Sequence, residues 1–83
     1  YPNPFNRRTT IRFSLPSNNH VRLKVYDILG REVVTLIDGE RKAGFNEVYF
    51  DASARGKQLA SGVYFYRLEA GAFEQTYKMV LLK

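Results

Sequence analysis

Thr9-Thr10-Ile11-Arg12-Phe13-Ser14-Leu15 and, shortly after it, Val21-Arg22-Leu23-Lys24-Val25 are the stretches that decide the fold class. In both, apolar side chains recur at every second position: Ile11, Phe13 and Leu15, then Val21, Leu23 and Val25. Successive side chains of an extended strand point to opposite faces, so this period makes each stretch a strand with one buried and one wet side. No stretch of the chain has a convincing helical period.

Between the two strands, Pro16-Ser17-Asn18-Asn19 is a cluster of turn formers and predicts a hairpin. Asp27-Ile28-Leu29-Gly30 ends the second strand, with Gly30 free to take a positive φ, and residues 31–37 resume as a third. Asp38-Gly39 and Ala43-Gly44 bracket a charged loop around Glu40-Arg41-Lys42, and residues 47–51 form a strand with Val48 and Phe50 on one face. Residues 52–58 read as an irregular connection, with 58–60 as a short further strand. Residues 63–69 are apolar on both faces, Tyr64, Tyr66 and Leu68 against Val63, Phe65 and Arg67, which suits a central strand. Ala70-Gly71-Ala72 then turns the chain into a last strand over 73–82. The sum is an all-β chain, an immunoglobulin-like antiparallel β-sandwich of about seven strands. An open oligonucleotide-binding barrel is the alternative, but that fold usually includes a helix, and none is predicted here.

The 83 residues fit one domain, 1–83, and a domain this small buries only about 60 per cent of its unfolded surface. Six Phe and six Tyr supply the large side chains, and the lack of cysteine excludes disulfides and thiolate metal sites. The chain opens at Tyr1 without a basic-then-apolar leader, so it reads as a piece of a longer polypeptide, and no apolar run approaches the roughly 20 residues of a transmembrane helix. A net charge of +5 hints at a polyanionic partner. The basic residues are scattered, with Arg7-Arg8 and Arg41-Lys42 the longest runs, so a solvated basic surface with no nucleic-acid partner is the expectation.

Catalysis needs a nucleophile with its base, a carboxylate pair or a metal cluster on a rigid frame. His20 is the single histidine and reads as a surface turn residue. Asp38-Gly39-Glu40 is too short for a calcium loop, and the glycines lack phosphate-cradle spacing. No catalytic residue, metal or cofactor is expected. Tyr64, Phe65, Tyr66 and Tyr77 would come together if the last two strands pair, but they read as core, and Tyr64 suits a tyrosine corner, whose hydroxyl returns to backbone. Tyr26 and Tyr49 fall on outward registers and could seed an aromatic row for polysaccharide, the rival functional reading.

Tyr1-Pro2-Asn3-Pro4-Phe5-Asn6 is a stiff, extended lead-in, placed to lie along the sandwich and bury Tyr1 or Phe5. With Thr9-Thr10-Ile11 it closely resembles the opening of type A sorting domains of the type IX secretion system. The resemblance continues through Val21-Arg22-Leu23-Lys24-Val25-Tyr26-Asp27-Ile28-Leu29-Gly30-Arg31-Glu32-Val33, then Leu59-Ala60-Ser61-Gly62-Val63-Tyr64-Phe65-Tyr66-Arg67-Leu68, and Lys78-Met79-Val80-Leu81-Leu82-Lys83. It implies a signal read as a folded shape at the end of a secreted cargo, which folds in the periplasm and passes to the cell surface or beyond. The implied partners are an outer-membrane translocon with its shuttle protein, a surface sortase that removes the domain, and the N-terminal cargo domain of the same chain. By position, Gly30 and Gly62-Val63-Tyr64 match internal motif residues, and Lys78, Val80, Leu82 and Lys83 are the expected contacts with the machinery, while Met79 and Leu81 read as core. Arg7-Arg8 departs from a common Pro-Ser, and residues 54–58 lengthen a loop that is often shorter. The exposed edge of the last strand also offers a route to a strand-mediated homodimer.

Overall fold

The computed structural model describes residues 8–52 and 59–81. Among these residues six strands form: β1 (Arg8–Leu15), β2 (Asn19–Tyr26), β3 (Glu32–Arg41), β4 (Gly44–Asp51), β5 (Gly62–Ala70) and β6 (Phe73–Leu81). They build a two-stranded sheet, β1-β4, and a four-stranded sheet, β3-β2-β5-β6, with every pair antiparallel. In immunoglobulin terms these are B-E facing C′-C-F-G, so the strand order itself is that of an immunoglobulin-like sandwich.

The alternation seen in the sequence becomes burial. Ile11, Phe13 and Leu15 of β1 face Val21 and Leu23 of β2 across the interior, together with Ile37, Leu68 and Ala70. Val25, Phe50, Ala52, Tyr64, Met79 and Leu81 fill the other end. Val21, Leu23 and Val25 have no exposed surface at all, as befits the strand held between β3 and β5. A register shift between Leu23 and Lys24 leaves Leu36 of β3 as an extra residue, and its side chain packs against both clusters.

Three expectations change. The predicted hairpin between the first two strands does not form: β1 pairs with β4, and β2 with β3 and β5. Both strands carry a fully apolar face, and stacking those faces removes more surface from water than setting the strands side by side, so the Pro16–Asn18 turn crosses between sheets. Second, Asp38, Gly39, Glu40 and Arg41 are strand rather than loop, opposite Arg22, Val21, His20 and Asn19. The wet positions there carry the charges, and the inward position opposite Val21 is a glycine, which ends the apolar alternation without ending the strand. Third, Leu59 and Ala60 of the short seventh strand are not in a strand; the Leu59 N–H donates to the Ala52 carbonyl at 3.0 Å and ties the connection to the end of β4. Gln58, the rest of the 53–57 connection, and the lead-in at Tyr1 and Phe5 lie outside the described residues. The β5-β6 hairpin is as expected. Gly71 at its turn has φ 63°, and a Cβ there would come within 2.8 Å of the Asn19 amide.

Candidate functional site

One end of the sandwich gathers the β2-β3 turn, the start of β5 and the finish of β6. Asp27 organises the turn. Its Oδ1 accepts hydrogen bonds from the N–H groups of Leu29 (2.9 Å) and Arg31 (3.0 Å), and its Oδ2 accepts from Arg31 Nε at 2.9 Å. The backbone closes on itself through Asp27 N–H to Arg31 O and Gly30 N–H to Asp27 O, with Gly30 at φ 83°. The hydrogen bond from the Arg31 N–H, opposed by partial desolvation and helped by the Arg31 guanidinium and the Leu29 N–H, holds the Asp27 carboxyl below its ordinary value. A turn braced in this way has nowhere inside to put its middle residues. Ile28 and Leu29 therefore stand 69% and 71% exposed.

Beside them runs a groove of about 330 Å³ walled by Ile28, Leu29, Arg31 and the Ser61–Tyr64 segment. Its floor is fixed by Tyr64, which is buried and donates its hydroxyl to the Ala60 carbonyl at 2.7 Å. This is the tyrosine corner expected from the sequence, in its usual place at the start of the F strand. Gly62 pairs with Leu81 and Val63 with Val80, so β6 finishes alongside the groove. Gly30 and the Gly62-Val63-Tyr64 segment, far apart in sequence, thus share one end of the molecule.

Of the residues expected to meet the secretion machinery, Lys78 and Val80 lie on the outer face of β6, opposite Phe65 and Val63. Lys78 is exposed and Val80 half-buried, whereas Met79 and Leu81 are buried in the core. Leu82 and Lys83 lie outside the described residues. Among the described residues β6 is the edge of its sheet. The exposed pair Ile28-Leu29 was missed. The signal was there, since two large apolar residues between a turn-initiating Asp27 and Gly30 cannot both be buried.

The outer face of the four-stranded sheet is a lattice of opposite charges. Arg22 approaches Asp38 and Glu69 at 3.9 Å each, Arg67 approaches Glu69 (3.5 Å) and Glu74 (3.6 Å), and Lys24 approaches Glu32 at 3.5 Å. His20 Nε2 lies 2.7 Å from Asp38 Oδ1, the contact that chiefly lowers the Asp38 carboxyl. Arg22, Lys24 and Arg67 of this face are therefore matched rather than massed, while Lys78 joins none of these pairs. The Arg67 guanidinium also caps the Tyr26 ring, 5.0 Å from its centroid, and leaves Tyr26 half-buried.

The aromatics divide in the same way. Tyr64 and Tyr66 point inward and Phe65 outward, and Tyr66 stacks on Tyr77 at 5.1 Å between centroids. Tyr26 and Tyr49 sit on opposite sheets and cannot share one row. Tyr49 instead shares the outer face of β4 with Phe45, the two 59% and 69% exposed, on either side of the Arg12–Glu47 ion pair (3.0 Å). Among the described residues no three His, Cys, Asp or Glu side chains gather to hold a metal, and no helix is long and apolar enough to cross a membrane.

A family model described as a secretion system C-terminal sorting domain matches residues 1–82. No curated protein matches the chain. Among solved structures, the crystal structure of the Ig1 domain of mouse SynCAM 2 is similar with a TM-score of 0.47 at 11% identity, over 96% of this chain and 88% of that one.

Proposed function

Because this chain belongs to the family of secretion system C-terminal sorting domains, those of type IX secretion, we propose that it acts as a folded address whose legible part is the end of the sandwich where β6 finishes. Sorting domains of this family direct secretion to the cell surface or the extracellular space. The family match over residues 1–82 carries the reading. The geometry supports its finer parts: a strand with an outward Lys78 and Val80, beside an exposed Ile28-Leu29 pair, gives a transport partner both main-chain groups and apolar surface.

In this reading the cargo crosses the inner membrane, folds in the periplasm, and is taken up by the outer-membrane translocon and its shuttle protein through Lys78, Val80, Leu82 and Lys83. A surface sortase then removes the domain. The domain has no chemistry of its own to perform. The test is a leader-bearing reporter fused to this chain in a host with the type IX apparatus, with residues 78–83 deleted or Lys78 and Val80 changed to Glu. Reporter held in the periplasm supports the reading, and undiminished surface delivery of both variants sinks it.

The exposure of both Phe45 and Tyr49 on the outer face of β4 favours a second reading, an accessory module that stacks sugar rings. Polysaccharide pull-down by the purified chain, lost in Tyr49→Ala, would support it. Absence of binding would dismiss it.

A further inference from the structure

The side of β6 that faces away from β5 has a definite chemistry. The two-residue turn Gly71-Ala72 makes Ala70 and Phe73 a hydrogen-bonded pair, so Phe73, Gln75, Tyr77 and Met79 turn their backbone groups toward β5. Glu74, Thr76, Lys78 and Val80 turn theirs the other way, where no described strand meets them. A row of unpaired N–H and C=O groups is a template for another strand.

The side chains choose which strand fits. An antiparallel partner can satisfy those groups only in registers that set the outward residues of each strand against one another. For a second copy of β6, one such register places Glu74 of each copy opposite Lys78 of the other, with Thr76 on the two-fold axis. Sliding by one residue pair either way sets a charge against Thr76, and sliding further sets Glu74 against Glu74 or Lys78 against Lys78. Lys78 takes part in none of the ion pairs among the described residues, and the Glu74 side chain is 58% exposed despite its approach to Arg67. On the other face, the two-stranded sheet leaves Phe73 half exposed and Tyr77 39% exposed. The same register lays Tyr77 beside Gln75 of the other copy and Phe73 beside its Met79, which covers both rings.

We propose that the edge of β6, which no described strand covers, is a self-association surface, on which two copies pair antiparallel about Thr76 through reciprocal Glu74–Lys78 contacts. Isologous pairing of this kind closes on itself and gives a dimer, not a filament. One strand pair is smaller than the roughly 1,200 Å² of a stable interface, so the dimer is concentration-dependent rather than obligate. While it persists, the edge is closed to any other strand. The proposal stands apart from the sorting role, because it is read on the purified chain without secretion machinery.

The test is sedimentation equilibrium of the 83-residue chain over a concentration series. Glu74→Lys and Lys78→Glu should each weaken dimerisation about tenfold or more, since each puts like charges opposite one another at two symmetry-related places. The double variant should return to within about threefold of the parent. Thr76→Pro should be monomeric yet still unfold cooperatively, because among the described residues no strand meets its N–H. A chain that stays monomeric throughout, a double variant no better than either single one, or a Thr76→Pro dimer would each overturn the proposal.

Discussion

Replacing Tyr64 by Phe isolates the tyrosine corner, because it deletes one oxygen and leaves the buried ring in place. That oxygen donates to the Ala60 carbonyl at 2.7 Å. A neutral hydrogen bond contributes about 0.5–1.5 kcal/mol net, and more when its partner is stranded away from water. Ala60 is exposed, so its carbonyl can turn to solvent, which sets the expected loss near 1 kcal/mol. In a domain of this length, that lowers Tm by roughly 4–8 °C. Tyr64→Ala removes the ring as well and should cost about 3–5 kcal/mol. Total stability at about 0.05–0.15 kcal/mol per residue comes to roughly 4–12 kcal/mol, so the alanine variant approaches global unfolding and the phenylalanine variant does not. Urea denaturation followed by circular dichroism measures both, with an unchanged m-value as the sign that only stability moved. A Tyr64→Phe protein within about 0.3 kcal/mol of the parent, or one as unstable as Tyr64→Ala, would refute the assignment of the hydroxyl as the pin of this corner.

Asp27, Glu32 and Asp38 all titrate below their ordinary values of 3.8, 4.5 and 3.8 in the folded chain. A depressed carboxyl contributes stability above its unfolded pKa and loses it as pH falls through the folded one, so the urea midpoint should hold steady from pH 7 to 5 and drop below about pH 4; Asp27→Asn should shallow that drop. Gly30→Ala meets no atom within 4 Å but forces an L side chain to φ 83°, and should cost about 1 kcal/mol, whereas Gly39→Ala, in extended backbone with equal space, should be neutral or slightly stabilising by thermal melt. Leu23→Ala at a fully buried position should cost about 2–5 kcal/mol, seen as a large fall in urea midpoint.

Alternation gave the strands and their faces, down to the burial of Ile11, Phe13, Leu15, Val21, Leu23 and Val25. It could not give pairing. Two neighbouring strands with apolar faces suit a hairpin and a face-to-face stack equally well, and only the competition for core area settles which forms. The charged end of β3 was misread because its inward position holds Gly39, so the hydrophobic signal stops while the ladder continues. The site was legible in parts. Tyr64 announced its corner, and Gly30 its turn. Their meeting was not legible, because it depends on Tyr26 lying opposite Phe65 across the β2-β5 pair, a contact between segments with no local mark of each other.

The place of β5 in the sheet carries a consequence for biosynthesis. It is bonded to β2 on one side and β6 on the other, and it supplies Ser61–Tyr64 to the groove. A ribosome delivers β1 to β4 first, and those strands can form only the β2-β3 hairpin and the β1-β4 pair. The remaining pairings, the long β2-β5 closure and the local β5-β6 hairpin, wait for the last quarter of the domain to emerge. A polypeptide interrupted just before Gly62 would hold most of the described core residues but none of the assembled end. The shape thus vouches for a domain made through to β6, and a product cut short within it would have nothing to show.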